Sequence, residues 1–115
     1  MARILIADDS MFMRAAMRDI LEKAGHRVVG EAATGLAAVE LYAELTPDIV
    51  TMDITMPLLG GIEALKKIRA INKNAAVIMV TSISKPESAG EALNCGAKSY
   101  ITKPFDAEKV LKAIG

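Results

Sequence analysis

Five short apolar runs alternate along this chain with stretches whose apolar residues recur every three to four positions. A chain that switches so regularly between the strand period and the helix period has few ways to fold. Each helix must carry it back across a common sheet with the same hand. The alternation therefore predicts an α/β domain: a mostly parallel, doubly wound five-stranded sheet with helices on both faces.

The runs are Ile4-Leu5-Ile6-Ala7, Arg27 to Ala32, Ile49-Val50-Thr51-Met52, Ala76-Val77-Ile78-Met79-Val80 and Tyr100-Ile101-Thr102. After the first, Ser10 can cap a helix in which Met13, Ala16, Met17, Ile20, Leu21 and Ala24 form one stripe, and Gly25 stops it. Thr34-Gly35 opens a second helix through Ala38, Leu41, Tyr42 and Leu45, ended by Thr46-Pro47. Pro57, Gly60 and Gly61 lead into a third, with Ile62, Leu65, Ile68 and Ile71 on one side and Asn72-Lys73-Asn74 closing it. A fourth is expected near Glu87 to Cys95. It should be the weakest, because Gly90 lies inside it and Leu93 is its one bulky aliphatic residue. The last begins near Asp106 and runs from Ala107 to Ile114.

A length of 115 residues, 52% of them hydrophobic, fits one domain with a real core. Lys plus Arg and Asp plus Glu both number 14, so no global field draws the chain to nucleic acid or to an anionic membrane. The apolar runs are too short to span a bilayer, and Met1-Ala2-Arg3 leads straight into a strand. A cytoplasmic monomer is expected. The one cysteine, Cys95, rules out an internal disulfide and a cysteine metal cluster, and reads as a small packed residue at a helix end. His26 reads as a turn residue, and the methionines mostly as core.

Four of the runs end in residues suited to phosphate chemistry: Asp8-Asp9, Asp53, Thr81-Ser82 and Lys103. Taken singly, these are a turn or cap, a strand end, a capping pair and a surface charge. If the strands are neighbours, they converge at the sheet edge where open α/β folds bind ligands. Crowded carboxylates repel one another, and a hard divalent cation relieves the repulsion. Mg²⁺ suits a site with few protein oxygens. Asp53 could then attack phosphorus, with the Thr81 hydroxyl and the Lys103 ammonium on the other phosphoryl oxygens. Alternation alone does not fix which strands are neighbours.

With these residues in place, the chain resembles the receiver domains of bacterial two-component response regulators, over essentially all of its length. The motifs are Asp8-Asp9, the stretch Met52-Asp53-Ile54-Thr55-Met56-Pro57 with Gly61, Thr81-Ser82, and Lys103-Pro104-Phe105. The resemblance implies a flavodoxin-like sheet ordered 2-1-3-4-5. It also implies that Asp53 is the phosphoacceptor, served by the phosphohistidine of a sensor histidine kinase. Asp9, Asp53 and the backbone carbonyl of Thr55 would ligate Mg²⁺, with Asp8 acting mainly through water. Thr81 and Lys103 would bind the phosphoryl group. Thr81 and Tyr100 would form the switch, although on its own Tyr100 is an ordinary amphipathic edge residue. The Lys103-Pro104 bond would be cis. Thr55 and Ile83 stand where the family tunes the attack of water on the phosphoryl group. Output would pass to a downstream protein through the fourth helix, last strand and last helix. Gly60, where Asn is frequent, and the apolar Leu58-Leu59 depart from the family pattern.

An aspartate-nucleophile phosphohydrolase of the haloacid dehalogenase kind would need a second Asp two residues after the first, and position 55 is Thr. No Gly-x-x-x-x-Gly-Lys loop or Gly-x-Gly-x-x-Gly turn is present. The stretches from Asp8 to Arg14 and from Thr51 to Pro57 resemble chemotaxis regulators more than DNA-binding ones, which points to a stand-alone regulator of the chemotaxis type. A receiver excised from a larger regulator or hybrid kinase is the alternative.

Overall fold

A computed structural model describes residues 1–82 and 86–115. Ile83, and with it the start of the segment leading to the fourth helix, lies outside the described residues. The elements are β1 (Arg3–Ala7), α1 (Met11–Lys23), β2 (Arg27–Ala32), α2 (Gly35–Leu45), β3 (Ile49–Asp53), α3 (Gly61–Ile71), β4 (Ala76–Ser82), α4 (Pro86–Asn94), β5 (Ser99–Lys103) and α5 (Ala107–Ile114). All five strands are parallel, in the order β2-β1-β3-β4-β5. The winding reverses between β1 and β3, and that is where a doubly wound sheet leaves a crevice at its carboxyl edge.

Local chemistry sets the ends of the helices. The Ser10 hydroxyl accepts the Met13 N–H at 3.2 Å, Thr34 accepts that of Ala37 at 3.0 Å, and Asp106 that of Lys109 at 2.9 Å. Gly25 leaves α1 at φ 89°, and Thr46 leaves α2 in the left-handed region at φ 42°. The stripes are narrower than the periodicity predicts. Met17 and Leu21 are the buried anchors of α1, while Ala24 is its exposed C-cap. On α3, Ile71 is exposed and Ala64 takes a place in the core.

Two apolar layers sandwich the sheet. On one face α1 and α5 bring Met17, Leu21, Val110 and Ile114 against Ile4, Ile6, Ile49, Ile78, Val80 and Ile101. On the other, α2, α3 and α4 pack on Leu5, Val50, Met52, Val77 and Met79. Alternation along each strand dictates this split. The helix α4 is lightly held: among its described side chains it buries Ala89 and Ala92, while Leu93 is 42% exposed. His26 does more than turn the chain, since its Nδ1 accepts the Ala2 N–H at 3.0 Å and ties down the amino end of the sheet. Cys95 packs half-buried at the core margin, just past α4. Among the described residues no helix is long and apolar enough to cross a membrane.

Candidate functional site

Strand parity assembles the site. Ile4 and Ile6 face the α1/α5 layer, so Asp8 continues on that side. So do Asp53 beyond Ile49 and Thr51, and Lys103 beyond Ile101. At the carboxyl edge of the sheet these side chains leave the core and meet one another. Lys103 Nζ lies 3.1 Å from Asp8 Oδ2 and 3.3 Å from Asp53 Oδ2. Carboxylate oxygens of Asp8, Asp9 and Asp53 come within 4.8 Å of one another, with Asp8 and Asp53 buried and Asp9 exposed. The Lys103-Pro104 peptide bond is cis.

Each group is held from more than one side. Asp8 accepts the Ser10 N–H at 2.9 Å through Oδ1, and its carbonyl accepts from Arg14 Nη1 at 2.7 Å. Arg14 is steadied in turn by Glu31 at 3.1 Å. Asp53 Oδ1 accepts the Thr55 N–H at 3.4 Å, so the loop after β3 begins by folding back over the carboxylate. That loop closes on itself through the Gly61 N–H, which donates to the Ile54 carbonyl at 2.8 Å. A Cβ on Gly61 would stand 2.1 Å from the Asp53 carbonyl oxygen, so the turn needs glycine there.

Electrostatics leaves the cluster short of positive charge. Burial, and then the neighbouring Asp8 carboxylate, push the Asp53 pKa above its ordinary value, and the Lys103 ammonium only partly offsets them. Burial alone would lower the Lys103 pKa, but the combined pull of Asp53 and Asp8 outweighs it and the pKa stands raised. One ammonium thus serves two carboxylates, while a third, that of Asp9, sits at the mouth. A donor set of three carboxylates with a deficit of positive charge fits a hard divalent cation such as Mg²⁺.

Thr81 is buried at the end of β4, beside Thr102 of β5, and its hydroxyl donates to the Ser82 carbonyl at 3.3 Å. Tyr100 pairs with Met79 and is 46% exposed. By parity Thr81 and Tyr100 share the face that carries α4, opposite to that of Asp53. Sequence reasoning gave Arg14 no role at the site. The only signal for one is the phase that the Ser10 cap sets for α1, which turns Arg14 back toward Asp8. The apolar Met11, Phe12 and Leu58 stand exposed beside the carboxylates along the chain.

Comparison with known proteins agrees with this geometry. Residues 4–115 match the response regulator receiver domain. The chain is 49% identical to the chemotaxis protein CheY of Thermotoga maritima, over 97% of this chain and 93% of that protein. To the CheY of Bacillus subtilis it is 51% identical, again over 97% of this chain and 93% of that protein. Among solved structures, a chain of the CheX-CheY-BeF3-Mg²⁺ complex from Borrelia burgdorferi superposes with a TM-score of 0.93 at 39% identity, covering 97% of this chain and 85% of that one. The response regulator domain of Thermotoga maritima CheB gives 0.90 at 44% identity, over 97% and 92%. On sequence and on fold together, the chain belongs to the response regulator receiver domain family.

Proposed function

We propose that this receiver acts in two-component signalling by taking a phosphoryl group onto Asp53 from a phosphohistidine of a sensor kinase, in a Mg²⁺-dependent reaction. The observation that carries the reading is the buried Asp53 carboxylate, ion-paired with Lys103 and clustered with the Asp8 and Asp9 carboxylates. An Asp53 carboxylate oxygen attacks phosphorus, and the P–N bond to the donor imidazole breaks. The electron pair stays with the imidazole nitrogen, which then takes up a proton. Asp8, Asp9, Asp53 and the Thr55 carbonyl would hold Mg²⁺, which neutralises charge on the phosphoryl oxygens. Lys103 stabilises the same oxygens, and Thr81 turns its hydroxyl from Ser82 toward them.

The chain's own acyl phosphate is then the signal. Moving Thr81 opens space beneath β5 into which Tyr100 turns, and its half-exposed ring in this structure supports an outward resting position. The output surface is α4, β5 and α5. A groove of about 310 Å³ beside β5, lined by Tyr100, Thr102, Lys109 and Lys112 among others, supports a protein partner there. The similarity to chemotaxis proteins along nearly the whole chain supports a cytoplasmic role in chemotaxis.

Acetyl phosphate with Mg²⁺ should add one phosphoryl group to the protein, read by intact mass. EDTA and Asp53→Asn should each abolish the addition. Equal labelling with EDTA, or labelling that survives the substitution, would overturn the mechanism.

A further inference from the structure

The loop from Ile54 to Gly60 carries two consecutive residues in the left-handed region, Leu58 at φ 49° and Leu59 at φ 93°. A residue with a Cβ is strained in that region, and such strain persists only where neighbours fix the backbone. Here the neighbour is the start of α2. The first N–H groups of a helix have no partner within it, and two of those of α2 are turned on this loop. Gly35 N–H donates to the Pro57 carbonyl at 3.4 Å and Leu36 N–H to the Leu58 carbonyl at 2.9 Å. The next N–H, of Ala37, is taken by the Thr34 side chain. The approach is so close that a Cβ on Gly35 would stand 2.0 Å from the Leu59 carbonyl oxygen and 2.7 Å from its carbon. Both atoms are backbone, so no rotamer change could relieve the clash.

We propose that Gly35 is a positioning residue for the Asp53 site. The start of α2 clamps the outer side of the loop after β3, while Gly61 pins its return to the Ile54 carbonyl, close against the Asp53 backbone. Between the two, Thr55 is held with its N–H on the Asp53 carboxylate, and its carbonyl is the one that the reading above assigns to Mg²⁺. The inference rests on the reading of Asp53 and Thr55 given above. It adds a dependence on an element that contributes no ligand.

The test uses the full chain. Gly35→Ala should remain folded, by far-UV circular dichroism and a cooperative melt, while its Mg²⁺ dissociation constant by calorimetry rises by about tenfold, the scale on which supports of metal ligands act. Labelling by acetyl phosphate at subsaturating Mg²⁺ should slow in parallel and recover at high Mg²⁺. Gly25→Ala is the control for stability alone, since Gly25 at φ 89° is strained by any Cβ yet touches nothing within 4 Å. It should melt earlier with unchanged Mg²⁺ affinity. In the unmodified chain, Mg²⁺ should slow hydrogen exchange of the Leu36 amide, a readout that stands even if Gly35→Ala does not fold. A folded Gly35→Ala with native Mg²⁺ affinity, or a Leu36 amide indifferent to saturating Mg²⁺, would overturn the clamp and leave the reading of Asp53 intact. Failure of the unmodified chain to bind Mg²⁺ or to be labelled on Asp53 would overturn both.

Discussion

Asp53 is a residue the fold would be steadier without. Burial and the Asp8 carboxylate raise its pKa, so the folded chain holds that proton to higher pH than the unfolded chain does. Stability contributed by protonated Asp53 is present below the ordinary Asp value and is lost as pH rises through the folded pKa. At neutral pH in EDTA, Asp53→Asn should therefore stabilise the chain by about 1 kcal/mol, the usual scale of one substitution. The gain should shrink with Mg²⁺ and vanish at acid pH, both measurable by urea unfolding. A destabilised Asp53→Asn at neutral pH would show that Lys103 already balances the cluster. Most of this site is legible in the sequence, because Asp8, Asp53 and Lys103 stand at or just past the ends of strands, and parity puts them on one side once the strand order is known. Gly35 and Arg14 are not legible in the same way. One matters through a clash with a backbone more than twenty residues away and the other through a carbonyl, and neither contact leaves a pattern in composition or period.

At the scale of elements, α4 differs from its neighbours in what holds it. α3 buries Leu65 and Ile68, and α1 buries Met17 and Leu21, whereas α4, among its described side chains, buries Ala89 and Ala92. The sequence shows the weakness, through Gly90, but not which way Leu93 faces. One bulky residue cannot set the phase of a short helix, and packing turned it outward. Gly90 is exposed and an added Cβ there meets nothing within 4 Å. Gly90→Ala should therefore stabilise the protein by about 1 kcal/mol through helix propensity alone. Leu93→Ala, at a half-exposed site, should change stability by no more than about 0.5 kcal/mol. Thermal and urea unfolding check both. A large loss from Leu93→Ala would mean that the side chain spends its time in the core. The starts of α1, α2 and α5 are readable because hydrogen-bonding caps at Ser10, Thr34 and Asp106 announce themselves in a few adjacent residues.

Across the whole molecule, the site and the proposed switch lie on opposite faces of one sheet. Asp53 and Lys103 top the α1/α5 layer, while Thr81 and Tyr100 lie by parity on the face that carries α4. Nothing in the strand–helix alternation could reveal this, since it depends on the order of the strands, which alternation leaves open and the family resemblance supplies. The arrangement makes the end of β4 the natural crossing point. A phosphoryl group on Asp53 that draws the Thr81 hydroxyl away from Ser82 acts from one face on the packing of the other. On that far face α4 buries only alanines among its described side chains, so little resists its movement. Hydrogen exchange with Mg²⁺ alone, and with Mg²⁺ and beryllofluoride as a phosphoryl mimic, separates the two events. Mg²⁺ alone should act on residues 54–61 and the start of α2. Adding beryllofluoride should alter protection through residues 86–100. The far edge strand β2 should stay unchanged, because its connections to the site run through β1 and not through β4. Altered exchange confined to the neighbourhood of Asp53, with α4 and β5 untouched, would break the link between phosphorylation and the output face.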